Sequence, residues 1–177
     1  MDYSRLKDNI IEVIEEQQLK LGYLKETVRL YYPLSSLNRF LGVKEGVEEM
    51  QMLLENFVLD VKDCFGKVVV TNEGERFCIA IPQEGAEYIH NHMDTDGFLC
   101  DLLAAVTRHG STLEDVLAQF YRHSAHVRVE EIRNGEFDYL VYFENGEPDS
   151  YRYCITAEAD HIIYHRYTKE DYEEFGF

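Results

Sequence analysis

No run of apolar residues in this chain approaches the roughly 20 needed to cross a bilayer, so a membrane span is excluded as an expectation. The first ten residues, MDYSRLKDNI, are charged at once. They contain no apolar stretch of the kind a secretory signal carries. Cys64, Cys78, Cys100 and Cys154 include no C-x-x-C pair. Without an export signal they read as buried thiols in a cytoplasmic protein, not as a disulfide frame. Bases are scarce, with 17 Lys and Arg against 34 Asp and Glu and a net charge of −17. A nucleic-acid binder neutralises phosphates with Lys and Arg, and long-range repulsion slows the approach of an acidic chain to DNA or an anionic membrane. There is no Walker loop, no G-x-G-x-x-G, no G-x-S-x-G, and no cysteine with a neighbouring histidine to activate it. No catalytic residue and no cofactor are therefore assigned.

What is present is core-forming material. The 177 residues are 45% hydrophobic and 13% aromatic, enough for one large domain or two small ones. In residues 4–21, Leu6, Ile10, Val13, Ile14 and Leu21 recur at helical spacing. Ser4 or Asp2 can cap this helix and Gly22 can end it. Residues 23–32 fit either a continued helix or a short extended piece before Pro33. Ser35 or Ser36 can cap a short helix holding Leu37, Phe40 and Leu41, stopped at Gly42. Residues 45–65 place Val47, Met50, Leu54, Phe57, Val58, Val61 and Phe65 on one face of a long amphipathic helix. KVVVT, NEGE and RFCIAI then read as strand, turn and strand, and EGAEYIHNH as a helix after Pro82.

Residues 35–90 resemble a winged helix-turn-helix domain. LNRFLGV is similar to the second helix and turn of such domains, and IAIPQEGAEYI to their exit from the wing. The alternative is an unrelated small helical subdomain with a hairpin. If the resemblance holds, the third helix presents Glu45, Glu48, Glu49, Gln51, Glu55, Asn56, Asp60, Lys62 and Asp63, and the wing tip is Asn72–Glu75. That surface is acidic where a DNA reader is basic. The whole chain also resembles an uncharacterised bacterial domain-of-unknown-function family. That resemblance implies a bacterial cytoplasmic protein and adds no activity.

In the second half, Asp94, Thr95 or Asp96 can cap a helix bearing Phe98, Leu99, Leu102, Leu103 and Val106. Ser111 or Thr112, with acids at 114 and 115, can cap the next, which bears Leu113, Val116, Leu117, Phe120 and Tyr121. From His126 the period changes to two, giving four strands with Asn134-Gly135 and Asn145-Gly146 as hairpin signals. The expected architecture is α+β. A winged-helix-like unit (1–92) precedes two helices and a four-stranded antiparallel meander (93–177), with a soft boundary near Asn91 to Thr95.

Two groups of residues are candidate sites. His90, His92, Asp94 and Asp96 could supply metal ligands, although the twelve-residue spacing of a calcium loop is not completed. Their alternative role is terminal: the histidines closing one helix and the aspartates capping the next. Arg128, Arg152, His161 and His165, on predicted strands, could hold an anionic small molecule, or form an outer polar face with Arg–Glu cross-strand pairs. Tyrosines 139, 142, 151, 153, 164 and 167 should divide between core and surface by alternation. The leading functional expectation is a non-enzymatic protein-interaction or regulatory module with a protein partner and no nucleic-acid partner. The alternatives are a ligand-sensing DNA-binding regulator and a metal-dependent hydrolase.

Overall fold

The computed structural model describes residues 1–176 and has an α+β architecture that divides into two compact units, Met1–Met93 and Asp94–Phe177. No described helix is long and apolar enough to cross a membrane.

The first unit runs α1 (Ser4–Leu21), β1 (Val28–Pro33), α2 (Leu34–Leu41), α3 (Val47–Asp60), α4 (Lys62–Phe65), β2 (Val69–Glu73), β3 (Arg76–Ile81) and α5 (Gln83–Asn91). α1 buries Leu6, Ile10 and Ile14, the four-residue repeat that faces one side of a helix. Its N-cap is Tyr3, while the Asp2 carboxylate accepts the Ser4 N–H at 2.9 Å. The ambiguous stretch before Pro33 is extended: β1 alternates buried Leu30 and Tyr32 with exposed Arg29 and Tyr31. β1 pairs antiparallel with β3, and β3 with β2, giving the order β1-β3-β2. α2 starts at Leu34, earlier than a serine cap would place it, because Pro33 is itself the N-cap residue. Gly42, with φ of 66°, ends it in the left-handed region that glycine enters without steric cost.

The long helix expected over 45–65 is two helices, broken at Val61 with φ −94° and ψ 3°. Val61 is itself fully buried, so the apolar pattern runs through the break without interruption. The core holds Leu6, Ile10, Ile14, Leu37, Met50, Leu54, Phe57, Phe65, Phe77 and Ile79, all with no exposed surface. Three polar anchors tie α1 and β1 into it. The Tyr3 hydroxyl donates to the Leu53 carbonyl at 2.9 Å, the Tyr32 hydroxyl to Asn9 at 2.8 Å, and the Gln18 amide to the Ala86 carbonyl at 2.9 Å.

The second unit runs α6 (Phe98–Thr107), α7 (Leu113–His123), β4 (Val127–Glu131), β5 (Tyr139–Phe143), β6 (Arg152–Ala157), β7 (Ile162–Tyr167) and α8 (Lys169–Phe175). Thr112 and Asp115 form the reciprocal capping box at the start of α7, each side chain taking the other's backbone N–H. The four strands pair in sequence as an antiparallel meander. The Asn-Gly pairs do not make two-residue hairpins: residues 132–138 and 144–151 connect the strands. Asn134 instead accepts the N–H groups of Glu136 and Phe137 at 3.0 and 2.7 Å, and Asn145 that of Glu147 at 3.2 Å. The asparagines organise longer loops because their short side chains mimic a backbone turn. Gly135 and Gly146 supply the positive φ.

One sheet face buries Val141, Phe143, Tyr153, Ile155, Ile162 and Tyr164. Phe98 of α6 packs edge-on against its Phe143 and Tyr153 rings, and Phe120 of α7 edge-on against Tyr153 and tilted against Phe143. The opposite face is also partly covered. Leu140, Cys154 and Phe137 cluster there with Ile132, Tyr142, Tyr167 and Tyr172 of α8. No meander tyrosine is fully exposed: Tyr153 and Tyr164 are core, Tyr142 and Tyr167 are half-buried in this second cluster, and Tyr139 and Tyr151 are half-buried outside it.

Candidate functional site

α3 precedes the β2–β3 hairpin and presents Glu48, Glu49, Met52, Glu55, Asn56, Leu59 and Asp60 to solvent. Gln51, expected on this face, is half-buried. Met52 and Leu59 are exposed by 58% and 71%, which the amphipathic reading of the helix missed. The helix carries more apolar residues than one buried stripe can hold, so some face outward. Glu45, Lys62 and Asp63 are exposed just outside the helix. The hairpin turns at Gly74 and Glu75, with Glu73, Glu75 and Arg76 exposed. Arg76 lies back over the Tyr31 ring at 4.6 Å, so the one base at the tip is engaged by an aromatic face.

The four residues considered as metal ligands have separate roles. His90 is exposed in the last turn of α5 and stacks on Tyr23 at 4.5 Å. His92 is the C-cap residue of α5. Its ring stacks on Tyr88 at 4.1 Å and its Nδ1 donates to the Tyr88 carbonyl at 2.7 Å. Asp94 and Asp96 do not cap α6, whose N-cap is Gly97 with no side-chain cap bond. Asp94 instead accepts the Asp96 N–H at 3.0 Å, closing its own turn ahead of the helix. No group of three or more His, Cys, Asp or Glu suited to a metal ion occurs among the described residues.

Arg128, Arg152 and His165 share the sheet face that carries Tyr142 and Tyr167. His161 does not: it lies before β7, where its ring meets Asp160 at 2.7 Å and Glu158 at 3.1 Å. The hydrogen bond to Asp160 raises the His161 pKa above its ordinary value. Arg128 and His165 stand on opposite edge strands, three strand spacings apart. At about 4.8 Å per spacing that is roughly 14 Å, too far to close on one small anion. Arg128 pairs with Glu130 of its own strand at 3.3 Å, not across strands. The Tyr142 hydroxyl donates to the same Glu130 oxygen at 3.1 Å, and Arg152 lies over the Tyr142 ring at 3.9 Å. Arg128 and Arg152 are thus each engaged by a neighbour on the face, and His165 stacks on Tyr167 at 6.4 Å. Cys154 beneath this face is a poor nucleophile, since burial pushes its thiol up to about 11.

Two polar contacts escaped sequence reasoning. His123 Nε2 meets Asp101 at 2.7 Å, with Arg122 on the same carboxylate at 3.3 Å. Lys7 donates to the Cys64 sulfur at 3.5 Å. Each joins residues far apart in sequence, brought together by helix packing, and no local spacing marks either one. No curated protein and no solved structure matches this chain. A family model does, over residues 3–176. The chain belongs to the family described as "Domain of unknown function, E. rectale Gene description (DUF3877)".

Proposed function

We propose that this protein is a non-enzymatic interaction or regulatory module, built on a winged-helix-like N-terminal unit that does not bind DNA. The order α1, β1, α2, α3, the short α4, β2, β3, with β1 added beside the hairpin strand β3, supports the winged-helix reading. The observation that carries the functional reading is the chemistry of α3 and the wing. In a DNA-reading winged helix the third helix enters the major groove and the wing lies on the backbone. Here the corresponding surfaces expose Glu48, Glu49, Glu55, Asp60, Glu73 and Glu75. Each would oppose a phosphate where binding requires neutralisation. Acidic surfaces of this kind complement a basic protein partner. The four cysteines are free thiols, three half-buried and Cys154 buried, as in a cytoplasmic protein.

Fluorescence titration with duplex DNA at about 0.15 M salt is expected to show no binding. Micromolar or tighter binding that falls steeply with salt would instead establish the DNA-binding regulator. The same preparation is expected to carry no stoichiometric zinc or calcium, because His90, His92 and Asp94 are committed to stacking, a helix end and a turn. One metal per chain, lost on His92→Ala, would establish a metal site.

A further inference from the structure

Met52 and Leu59 are seven residues apart on α3, about 10 Å along the axis and on the same side of the helix. Both are largely exposed, at 58% and 71%. A single exposed leucine needs no explanation. Two apolar side chains on one face, bordered by four carboxylates, define a surface with a specific chemistry. Glu48 and Glu49 lie one turn before Met52, Glu55 lies between the two apolar residues, and Asp60 follows Leu59. None of these acids makes a salt bridge among the described residues. Glu55 accepts only a hydrogen bond from Gln51 on its own helix.

We infer that this face of α3 docks a lysine- or arginine-rich amphipathic helix of a partner protein. The inference rests on the interaction-module reading above and names its partner class. Two apolar anchors at helical spacing match the way one helix lays its apolar stripe against another, and the flanking carboxylates match a basic border around that stripe. Charge excludes the other occupants. Duplex DNA and an anionic membrane both carry the wrong sign. A second copy of this chain in a two-fold arrangement would set the same acidic face against itself.

The test uses the full chain and a synthetic peptide of lysine and leucine, with leucines at i, i+3, i+4 and i+7. A peptide of the same composition in scrambled order and a duplex DNA are run alongside. The patterned peptide is expected to bind, and the scrambled one to bind at least about tenfold more weakly. Met52→Ser with Leu59→Ser leaves every charge in place, and both positions are exposed, so circular dichroism should report an unchanged fold. This variant is expected to lose at least about tenfold in affinity for the patterned peptide. Glu48→Gln with Glu55→Gln is expected to weaken both peptides and flatten their salt dependence. Equal binding of patterned and scrambled peptides, unchanged binding by the Met52/Leu59 variant, or no binding of the patterned peptide would each overturn the inference. Failure with both peptides and DNA refutes this partner class alone. Salt-sensitive binding of DNA by the same sample refutes the reading beneath it.

Discussion

Phe120→Ala is expected to cost about 3–5 kcal/mol of stability, measured by urea denaturation. Phe120 has no exposed surface, and its ring centre lies 4.8 Å from that of Phe98, 5.4 Å from Phe143 and 5.2 Å from Tyr153. Truncation removes the apolar burial of a whole ring and leaves a cavity walled by three others. Those rings are themselves wedged in place, with Phe98 also 4.9 Å from Phe143 and 5.7 Å from Tyr153, so collapse into the space is limited. Aromatic contacts contribute about 0.5–1.5 kcal/mol each beyond burial, and three are lost together. Domains of ordinary stability hold about 5–15 kcal/mol, so much of the margin would go. A loss below about 1 kcal/mol, the centre of ordinary point-mutant effects, would mean that the ring cluster repacks.

Gly85→Ala should destabilise the N-terminal unit by about 1–3 kcal/mol, against the direction of helix propensity. Ala in a helix is ordinarily favoured over Gly by about 1 kcal/mol. At this position, however, a Cβ would lie 2.7 Å from the Phe65 carbonyl oxygen, 2.7 Å from Ile81 Cγ2 and 3.0 Å from Phe65 Cα. Two of those atoms belong to backbone, which cannot swing aside as a side-chain tip can. α5 therefore packs against the end of α4 at a distance only glycine permits. Gly46→Ala provides the contrast in the same denaturation series. Its Cβ would meet only the flexible end of Glu49 at 3.0 Å, at an ordinary φ of −78°. Only the Gly85 variant should show a large shift of the urea midpoint. A Gly85 effect no larger than that at Gly46 would mean that the Phe65 backbone yields to the added methyl group.

Much of this fold was legible in local pattern. α1 ends at Leu21 before Gly22, Gly42 adopts the left-handed cap, and Thr112 with Asp115 forms the expected box. In these cases the signal and its cause lie within a few residues. β1 was not resolved by pattern because its identity depends on Phe77, Ile79 and Ile81, its partners in β3. The break at Val61 has no glycine or proline to announce it. The Asn-Gly pairs named turns correctly but not loop length, since asparagine side chains stabilise long loops as readily as hairpins. Among the candidate residues, the strand period grouped Arg128, Arg152, His161 and His165, whereas His161 falls outside β7. That period could not reveal that strand order separates Arg128 from His165, or that Tyr142 and Glu130 already engage the arginines. Met52 and Leu59 were hidden for the opposite reason: apolar side chains are read as core until the buried stripe is seen to be full.

Because β1 sits between the first two helices yet pairs only with β3, the three-stranded sheet closes late in synthesis. When Pro33 has emerged from a ribosome, its partner Arg76 has not, and Val28 waits longer still for Ile81. At about 5–20 residues per second that interval lasts several seconds. During it Leu30, Tyr31 and Tyr32 are an apolar stretch without their native partner strand, the kind of segment that pairs with other chains. Pro33 at one end and Arg29 near the other interrupt that stretch, so the same residues that bound the native strand also guard the nascent one.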